Sequence, residues 1–235
     1  MILTGRSALV TGGSSGIGKA IVKQLIQAGM ARVNVVSRRG LDDTVSEQPG
    51  VTHIECDLSD EGATARLASK LATTPDTLDV LVHCAGSFHA GSIDDTSLEA
   101  VEQQLQINFK TPYLLTKSLL PKLRQTKGQI VFVNTSAISG TARGKLTAYS
   151  ASKHALKALA DNLRAEVNTD AVRVISIYPG RTATPMQEAI HTSEGKAYSA
   201  SLLLQADDVA ASIVHALTTP LSAEITDIHI RPFRK

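Results

Sequence analysis

Short runs of apolar and β-branched residues recur along the chain and alternate with longer stretches that have apolar residues at helical spacing. The apolar runs lie at 6–11, 32–37, 51–56, 78–83, 128–134, 172–178 and 225–230. Strands that alternate with helices in this way predict βαβ units and a parallel sheet. Because the runs are nearly continuous and do not alternate strictly between apolar and polar residues, we expect helices to cover both faces of that sheet.

Helical spacing covers the segments at 16–29, 61–72, 96–124, 147–168 and 206–218. In the longest of these, the sequence TSLE at 96–99 is a capping box that predicts the start of the helix. No repeat, low-complexity tract or interdomain linker interrupts the pattern. The chain is therefore predicted to form one domain over residues 1–235, an α/β fold with a doubly wound, seven-stranded, mainly parallel sheet.

The composition narrows the range of partners. The 235 residues are 43% apolar, and 24 basic residues nearly cancel 22 acidic ones. No apolar run approaches the roughly 18 residues of a membrane helix, and no block of like charge indicates a nucleic acid or a membrane surface. We therefore expect small molecules, or copies of the chain itself, as partners. The N-terminal sequence is typical of a strand and not of a signal peptide, so the cytoplasm is the expected location, and the spacing of Cys56 and Cys84 indicates no metal site.

A glycine-rich loop, TGGSSGIG at 11–18, follows the first predicted strand and precedes the first predicted helix. Gly12, Gly16 and Gly18 allow the backbone to turn tightly and to come close to a pyrophosphate, whose charge the N–H groups at the helix N-terminus stabilise. A bare turn is the alternative interpretation. The position of the loop between a strand and a helix favours dinucleotide binding.

The end of the second predicted strand discriminates between nicotinamide cofactors. Ser37, Arg38 and Arg39 stand where an NAD-selective site usually has an acidic residue. Guanidinium groups bind phosphate through forked, charge-assisted hydrogen bonds, so Arg38, helped by Ser37 and Arg39, is predicted to favour NADP(H). The alternative is a pair of solvated arginines at a strand end. Asp57, after the third strand, is expected either to contact the adenine or to cap the helix that begins near Glu61.

Tyr149 and Lys153 are four residues apart in a predicted helix and therefore project from the same face. A free tyrosine has a pKa of about 10. A nearby ammonium group and an oxidised nicotinamide both favour the phenolate, and lowering the pKa would make the side chain a usable acid or base. Taken alone, the pair is also compatible with an ordinary helix surface.

Together these motifs resemble the short-chain dehydrogenase/reductase family. The matching stretches are TGGSSGIG (11–18), CDLSD (56–60), CAG (84–86), Asn108, Ser136, YSASK (149–153) and YPGRTATPM (178–186). They occur in the family's order across essentially the whole chain. The resemblance implies a Rossmann-type three-layer sandwich, a homodimer or homotetramer, and an NADP(H)-dependent oxidoreductase that interconverts a carbonyl and an alcohol. A noncatalytic NADP(H)-binding redox sensor or scaffold is the alternative.

The resemblance also implies a role for each member of a catalytic set. Tyr149 would donate a proton to a carbonyl oxygen while NADPH delivers hydride to the carbonyl carbon. Lys153 would lower the pKa of Tyr149 and hold the nicotinamide ribose. Ser136 would hydrogen-bond the reacting oxygen, and Asn108 would hold a water that connects Lys153 to solvent. Because all four residues of the family's catalytic set are present, the noncatalytic alternative is disfavoured.

Further residues are placed against the cofactor by the same resemblance. They are Ser14, Ser15, Ile17, Leu58, Ala85, Gly86, Pro179, Gly180, Thr182 and Thr184. Pro179 and Gly180 follow the sixth strand, at the carboxyl edge where open α/β sheets bind ligands. Thr182 and Thr184 resemble the positions that contact the nicotinamide amide and the pyrophosphate, with backbone capping of the next segment as the alternative. Residues 186–205 are expected to cover the substrate.

One local feature supports the role of Asn108, and two others depart from the family's pattern. Pro112 has no N–H group, so the carbonyl of Asn108 is expected to lose its donor and to be free to bind water, with an ordinary proline kink as the alternative. His83 and Cys84 stand where the family commonly has two asparagines, and His83 is expected to be packed and hydrogen-bonded.

The position of the catalytic serine depends on how the family's pattern is aligned with this chain. Counting 13 residues back from Tyr149 selects Ser136, whereas aligning on the glycine at 140 selects position 137. Ser136 is the position that we predict.

Overall fold

The computed structural model describes residues 3–140 and 144–233, and a seven-stranded parallel sheet lies at its centre. The strands are β1 (Ser7–Thr11), β2 (Arg32–Ser37), β3 (Val51–Glu55), β4 (Val80–His83), β5 (Gln129–Val133), β6 (Arg173–Pro179) and β7 (Asp227–Ile230). Their order is β3-β2-β1-β4-β5-β6-β7, and every neighbouring pair is parallel. Each predicted strand is present, with its ends within two residues of the prediction.

Eight α-helices connect the strands within the described residues. They are α1 (Gly16–Gln27), α2 (Asp43–Ser46), α3 (Glu61–Thr73), α4 (Leu98–Leu105), α5 (Thr111–Thr126), α6 (Thr147–Val167), α7 (Pro185–Ser193) and α8 (Ala206–Thr218). One core packs α1 and α8 against one face of the sheet, and a second core packs α3, α5 and α6 against the other. The predicted three-layer sandwich is confirmed.

Burial explains why the central strands are apolar at every position. All five residues of β1 are buried, and they alternate between the two cores: Val10 faces α1 and α8, whereas Leu9 faces α3, α5 and α6. Neither face of a central strand meets solvent, so neither face needs polar residues. The edge strand β3 has no buried residue. Among the described residues, no helix is both long and apolar enough to cross a membrane.

The segment predicted as one helix over 96–124 is interrupted. A π-helical turn, Gln106–Lys110, separates α4 from α5. The N–H of Thr111 donates to the carbonyl of Gln106, five residues back, and Pro112 then occupies the first turn of α5, where a missing N–H costs nothing. The π-helical turn thus accommodates the proline without a break in the chain direction.

Helix α4 begins one residue later than predicted, and the predicted capping box between Thr96 and Glu99 is not formed. The N-cap of α4 is Ser97, whose Oγ accepts a hydrogen bond of 3.2 Å from the N–H of Ala100. The hydroxyl of Thr96 instead donates to the carbonyl of Ser92 at 2.7 Å. Both residue types cap helices, so the pattern alone does not distinguish the two neighbouring positions.

Candidate active site

A cavity of about 1610 Å³ runs along the carboxyl ends of the strands, across the point where the strand order reverses between β1 and β4. Open α/β sheets bind ligands at this switch point. The cavity extends from Arg38, after β2, to Leu202, in a short 3₁₀ turn beyond α7. Of the predicted site residues, all line the cavity except Asn108, which is buried behind its wall.

The cavity floor is formed by close packing of the glycine-rich loop. Gly12 and Gly16 have positive φ angles of 71° and 52°, which side-chain-bearing residues rarely adopt. A Cβ on Gly12 would lie 2.7 Å from the Cα of Ala85, and a Cβ on Gly18 would lie 2.2 Å from the carbonyl oxygen of Gly12. Only glycine fits at these two positions.

The N-terminus of α1 opens onto this loop. Its N-cap, Ser15, makes no side-chain capping bond, so the first N–H groups of the helix are left available to an anion. Ser14, Ser15 and Ile17 line the cavity beside them. The loop and the helix end therefore fit the pyrophosphate of a dinucleotide.

At the end of the cavity next to β2, the predicted residues Arg38 and Arg39 are both exposed. The side chain of Arg38 is 68% exposed, and its Nη1 lies 3.8 Å from Oδ2 of Asp57. Asp57 accepts hydrogen bonds from the N–H and the hydroxyl of Ser59, at 2.9 and 2.6 Å. These bonds first, and the charge of Arg38 second, lower the pKa of Asp57. Asp57 therefore faces the cavity as a carboxylate.

Asp57 does not cap the following helix, so that alternative is wrong. The N-cap of α3 is Asp60, whose Oδ1 accepts a hydrogen bond of 2.8 Å from the N–H of Ala63. Leu58, between the two acids, is buried and lines the cavity. Contact between Asp57 and an adenine remains a prediction.

Tyr149 and Lys153 lie on the opposite wall of the cavity. Helix α6 begins at Thr147, so Tyr149 is in its first turn and Lys153 is one turn further on. Lys153 is only 4% exposed, and its Nζ donates a hydrogen bond of 3.1 Å to the carbonyl of Val133 at the end of β5. Burial lowers the pKa of Lys153 to about 8.

The environment of Tyr149 differs from the expectation. The pKa of Tyr149 was expected to fall under the influence of Lys153, but burial raises it, and a hydrogen bond with the side chain of Thr135 opposes that rise. The ring packs edge-on against Phe88, with the ring centres 4.9 Å apart. In this structure the tyrosine is therefore held as a neutral phenol, the form that can donate a proton.

Ser136 lines the cavity at the start of a 3₁₀ turn, Ser136–Ile138, directly after β5. The side chain that opposes the rise in the pKa of Tyr149 is that of the residue before Ser136, Thr135, whose Oγ1 accepts a hydrogen bond of 3.2 Å from the N–H of Ala137. The sequence prediction did not include Thr135. The two adjacent hydroxyls in NTS, at 135 and 136, were the signal that could have identified it.

Asn108 is fully buried in the π-helical turn, and its side chain clamps the backbone of Ser87. Its Nδ2 donates to the Ser87 carbonyl, and its Oδ1 accepts from the Ser87 N–H, both at 2.9 Å. Nδ2 also donates to Oγ of Ser152 at 2.9 Å, and that hydroxyl donates to the carbonyl of Tyr149 at 2.8 Å. These bonds connect Asn108 to the first turn of α6. The role of its carbonyl in binding water remains a prediction.

Beyond β6, the two predicted threonines are engaged with the backbone. Thr184 is the N-cap of α7 and accepts a hydrogen bond of 3.2 Å from the N–H of Gln187, so the capping alternative is realised. Thr184 also contacts the glycine-rich loop, since a Cβ on Gly16 would lie 3.0 Å from its Cγ2. Thr182 is buried, and its hydroxyl donates to the carbonyl of Gly180 at 2.9 Å. Both threonines line the cavity beside Pro179.

Helix α7 and the 3₁₀ turn make up most of the segment 186–205, which lines the end of the cavity furthest from Arg38. The helix was not predicted, although Thr184 followed by Pro185 is a typical helix start. Arg181 binds Glu194 through two contacts of 2.8 and 3.0 Å, and Lys196 binds the same carboxylate at 2.7 Å. This ion pair network holds the segment to the loop after β6.

His83 and Cys84, which stand where the family commonly has asparagines, have a structural role in this site. His83 is buried, stacks on Phe132, and hydrogen-bonds Oγ1 of Thr116 at 2.9 Å. Burial lowers its pKa to about 3 and raises the pKa of Cys84 to about 12. Both side chains are neutral near pH 7, and the expectation that His83 is packed and hydrogen-bonded is confirmed.

Comparisons with known proteins agree on a family. The family model described as short chain dehydrogenase matches residues 6–195. An uncharacterised oxidoreductase of Staphylococcus epidermidis is 32% identical over 230 residues, which are 96% of each chain. Dehydrogenase/reductase SDR family member 7B of Rattus norvegicus is 35% identical over 211 residues, 82% of this chain and 62% of the relative.

Solved structures show the same fold with NADP bound. A putative NAD(P) dependent gluconate 5-dehydrogenase from Beutenbergia cavernae, with NADP at low occupancy, has a TM-score of 0.85 and 26% identity, covering 97% of this chain and 95% of that one. A metagenomic short-chain oxidoreductase in complex with NADP has a TM-score of 0.79 and 27% identity, with both chains covered completely.

Proposed function

This chain belongs to the short-chain dehydrogenase/reductase family of oxidoreductases, and we propose that it interconverts a carbonyl compound and an alcohol with NADP(H) as its cofactor. The observation that carries the proposal is the placement of Tyr149 and Lys153 on one wall of the cavity whose floor is the glycine-rich loop. A proton donor and a dinucleotide site thus share one cavity.

The preference for NADP(H) is supported by charge at the end of the cavity next to β2, the proposed adenosine end. Arg38 and Arg39 line the cavity directly after β2, at the positions where an NAD-selective site usually has an acidic residue. The nearby carboxylate of Asp57 lies 3.8 Å from Nη1 of Arg38. The two solved relatives that hold NADP support the same choice. When bound, the nicotinamide ring supplies hydride to the substrate carbon or accepts hydride from it.

Tyr149 is proposed to give its phenolic proton to the substrate oxygen as the carbonyl is reduced. Its raised pKa keeps the proton in place until that oxygen becomes basic. Lys153 lies one helical turn away, where its ammonium group stabilises the negative charge that develops on the tyrosine oxygen. Because Lys153 is buried, water screens this interaction weakly.

Ser136 is proposed to hydrogen-bond the substrate oxygen, and Thr135, whose side chain opposes the rise in the pKa of Tyr149, is proposed to orient the Tyr149 hydroxyl. Asn108 does not line the cavity, and its proposed role is exerted through the residues that it contacts. Through Ser152 it fixes the helical turn that carries Tyr149, and its backbone carbonyl is proposed to hold the water that returns a proton by way of Lys153. Preorganised groups of this kind avoid rearrangement during the reaction.

The test is a panel of aldehydes, ketones and diketones, with NADPH consumption followed by its absorbance. At least one compound is expected to be reduced by the wild-type protein, and at least about 10²-fold more slowly by Tyr149→Phe. A protein that binds NADPH but consumes none across the panel would instead support the noncatalytic redox sensor. Family membership also supports a homodimer or homotetramer, which sedimentation velocity would distinguish.

A further inference from the structure

The hydroxyl of Ser37, the last residue of β2, has two hydrogen-bond partners that the sequence does not indicate. Its Oγ donates to the backbone carbonyl of Arg39 at 2.7 Å. Nε2 of His53, on the edge strand β3, lies 2.9 Å from the same Oγ and 3.3 Å from the Ser37 carbonyl. Ser37 is therefore held from both sides, although it lines the cofactor cavity.

These contacts determine which atom carries each proton. The Ser37 hydroxyl has one hydrogen, and the bond to the Arg39 carbonyl uses it. Nε2 of His53 must then be the donor to Oγ, and the same N–H reaches the Ser37 carbonyl as well. The arrangement therefore requires a proton on Nε2 of His53.

The sheet geometry accounts for the contact between residues 16 positions apart. In the parallel register, His53 pairs with Val35 and Ser37 pairs with Glu55. His53 and Ser37 are thus diagonal neighbours on one face of the sheet, a separation that a long side chain spans. The N–H of Cys56 also donates to the Ser37 carbonyl at 3.2 Å, so the end of β2 is tied firmly to β3.

The bond from Ser37 to the Arg39 carbonyl closes the turn that carries both arginines. Arg38 has little else to hold it, since its side chain is 68% exposed and its contact with Asp57 is 3.8 Å. The direction in which Arg38 leaves the backbone is consequently set by the turn. A direct bond from the Ser37 hydroxyl to a phosphate would require its present bond to break, and the remaining lone pair of Oγ repels an anion.

From these contacts we infer that His53 is a positioning residue for the 2′-phosphate subsite: it holds Ser37, and Ser37 holds the turn from which Arg38 and Arg39 project. This inference rests on the proposed preference for NADP(H). Without the N–H of His53, Oγ of Ser37 keeps only its bond to the Arg39 carbonyl, and the turn is held from one side. The loss should therefore fall on cofactors that carry the 2′-phosphate.

The test compares His53→Ala, His53→Gln and Ser37→Ala with the wild type. Dissociation constants for NADPH and NADH are measured by cofactor fluorescence, and those for adenosine 2′,5′-bisphosphate by calorimetry. His53→Ala should weaken NADPH and the bisphosphate about three- to tenfold, the range expected for one lost hydrogen bond, and NADH by less than about twofold. His53→Gln should restore most of the affinity, because its amide N–H reaches the position of Nε2.

Two further variants separate positioning from strand stability. Ser37→Ala should reproduce the selective loss, and the double variant Ser37→Ala/His53→Ala should lose no more than either single variant. Thr52→Ala, an exposed change in the same edge strand, should leave both cofactors unaffected. Equal losses of NADPH and NADH, additive losses in the double variant, or no rescue by glutamine would overturn the inference.

The wild-type measurement separates this inference from the proposal on which it rests. A wild-type protein that binds NADH as tightly as NADPH overturns the NADP(H) preference, and the positioning role with it. A wild-type preference that survives intact in both His53→Ala and Ser37→Ala overturns the positioning role alone.

Discussion

The two ends of the cavity hold their functional side chains in opposite ways. At the catalytic end, Asn108 is fully buried and Lys153 is 4% exposed, and each is fixed by hydrogen bonds to backbone or buried side-chain atoms. At the adenosine end, the side chain of Arg38 is 68% exposed and makes one long ionic contact. The proposed catalytic end is buried and hydrogen-bonded, whereas the proposed adenosine end is open to water.

This difference in exposure indicates how each end of the cavity affects the stability and the function of the protein. A buried ammonium group lowers the stability of the fold, because its charge is removed from water, but it interacts strongly with any negative charge that develops nearby. An exposed guanidinium group costs the fold almost nothing and is screened by salt. Changes at the catalytic end should therefore affect turnover and stability, and changes at the adenosine end should affect cofactor affinity alone.

The largest effect is expected for Tyr149→Phe. The substitution removes the proton donor and one hydrogen bond but little volume, so turnover should fall by about 10² to 10⁴-fold, the usual contribution of a positioned acid. The dissociation constant for NADPH should change by less than about threefold. Steady-state kinetics and cofactor fluorescence measure the two quantities. Retention of a tenth or more of the wild-type turnover would remove Tyr149 from the mechanism.

Lys153→Met sharpens the contrast, because it should make the protein more stable as well as inactive. The pKa of Lys153 falls from an ordinary value of 10.5 to about 8 on folding. Below about pH 8 the buried lysine is charged in the native state, and the variant should then be more stable by roughly 2 to 3 kcal/mol. Urea unfolding measures this difference.

The pH dependence of that gain follows from the same pKa shift. Between about pH 8 and 10.5 the unfolded chain still binds the proton of Lys153 while the native protein has released it, so the stability of the wild type rises with pH. The advantage of Lys153→Met should shrink across this window and be smallest above it. A gain in stability that is constant from pH 7 to 10.5 would argue against a buried ammonium group.

The smallest effect on the fold is expected for Arg38→Ala. NADPH should bind about tenfold or more weakly, since a charge-assisted contact to the 2′-phosphate is lost, whereas the affinity for NADH should change by less than about twofold. The free energy of unfolding should stay within about 0.5 kcal/mol of the wild type, as is usual for exposed positions. Equal losses for NADPH and NADH would refute the phosphate role.

Much of the fold and the outline of the site follow from local pattern. The strands and four of the helices were predictable because burial on two faces leaves continuous apolar runs and helical spacing between them. Tyr149 and Lys153 were predictable because a spacing of four places two side chains on one helical face. The glycine-rich loop was predictable because the backbone around Gly12 and Gly18 leaves no room for a Cβ. The glycines must therefore stand at fixed positions, and their spacing can be read from the sequence.

The remaining features depend on contacts that local pattern does not fix. The bond between His53 and Ser37 requires the register of β2 and β3. In the π-helical turn, the backbone hydrogen bonds shift by one residue ahead of Pro112. The spacing of apolar residues in the sequence does not reveal this shift. The position of Thr135 beside Tyr149 depends on how the loop after β5 meets the start of α6.

The most direct test of the central claim follows a labelled hydride. NADPH that carries deuterium on the reactive face of C4 is supplied to the wild-type protein with each compound of the carbonyl panel, and the products are analysed by mass spectrometry. The account predicts an alcohol with one deuterium on the former carbonyl carbon, formed at least about 10²-fold more slowly by Tyr149→Phe. NADPH that binds but passes deuterium to none of the compounds would contradict it.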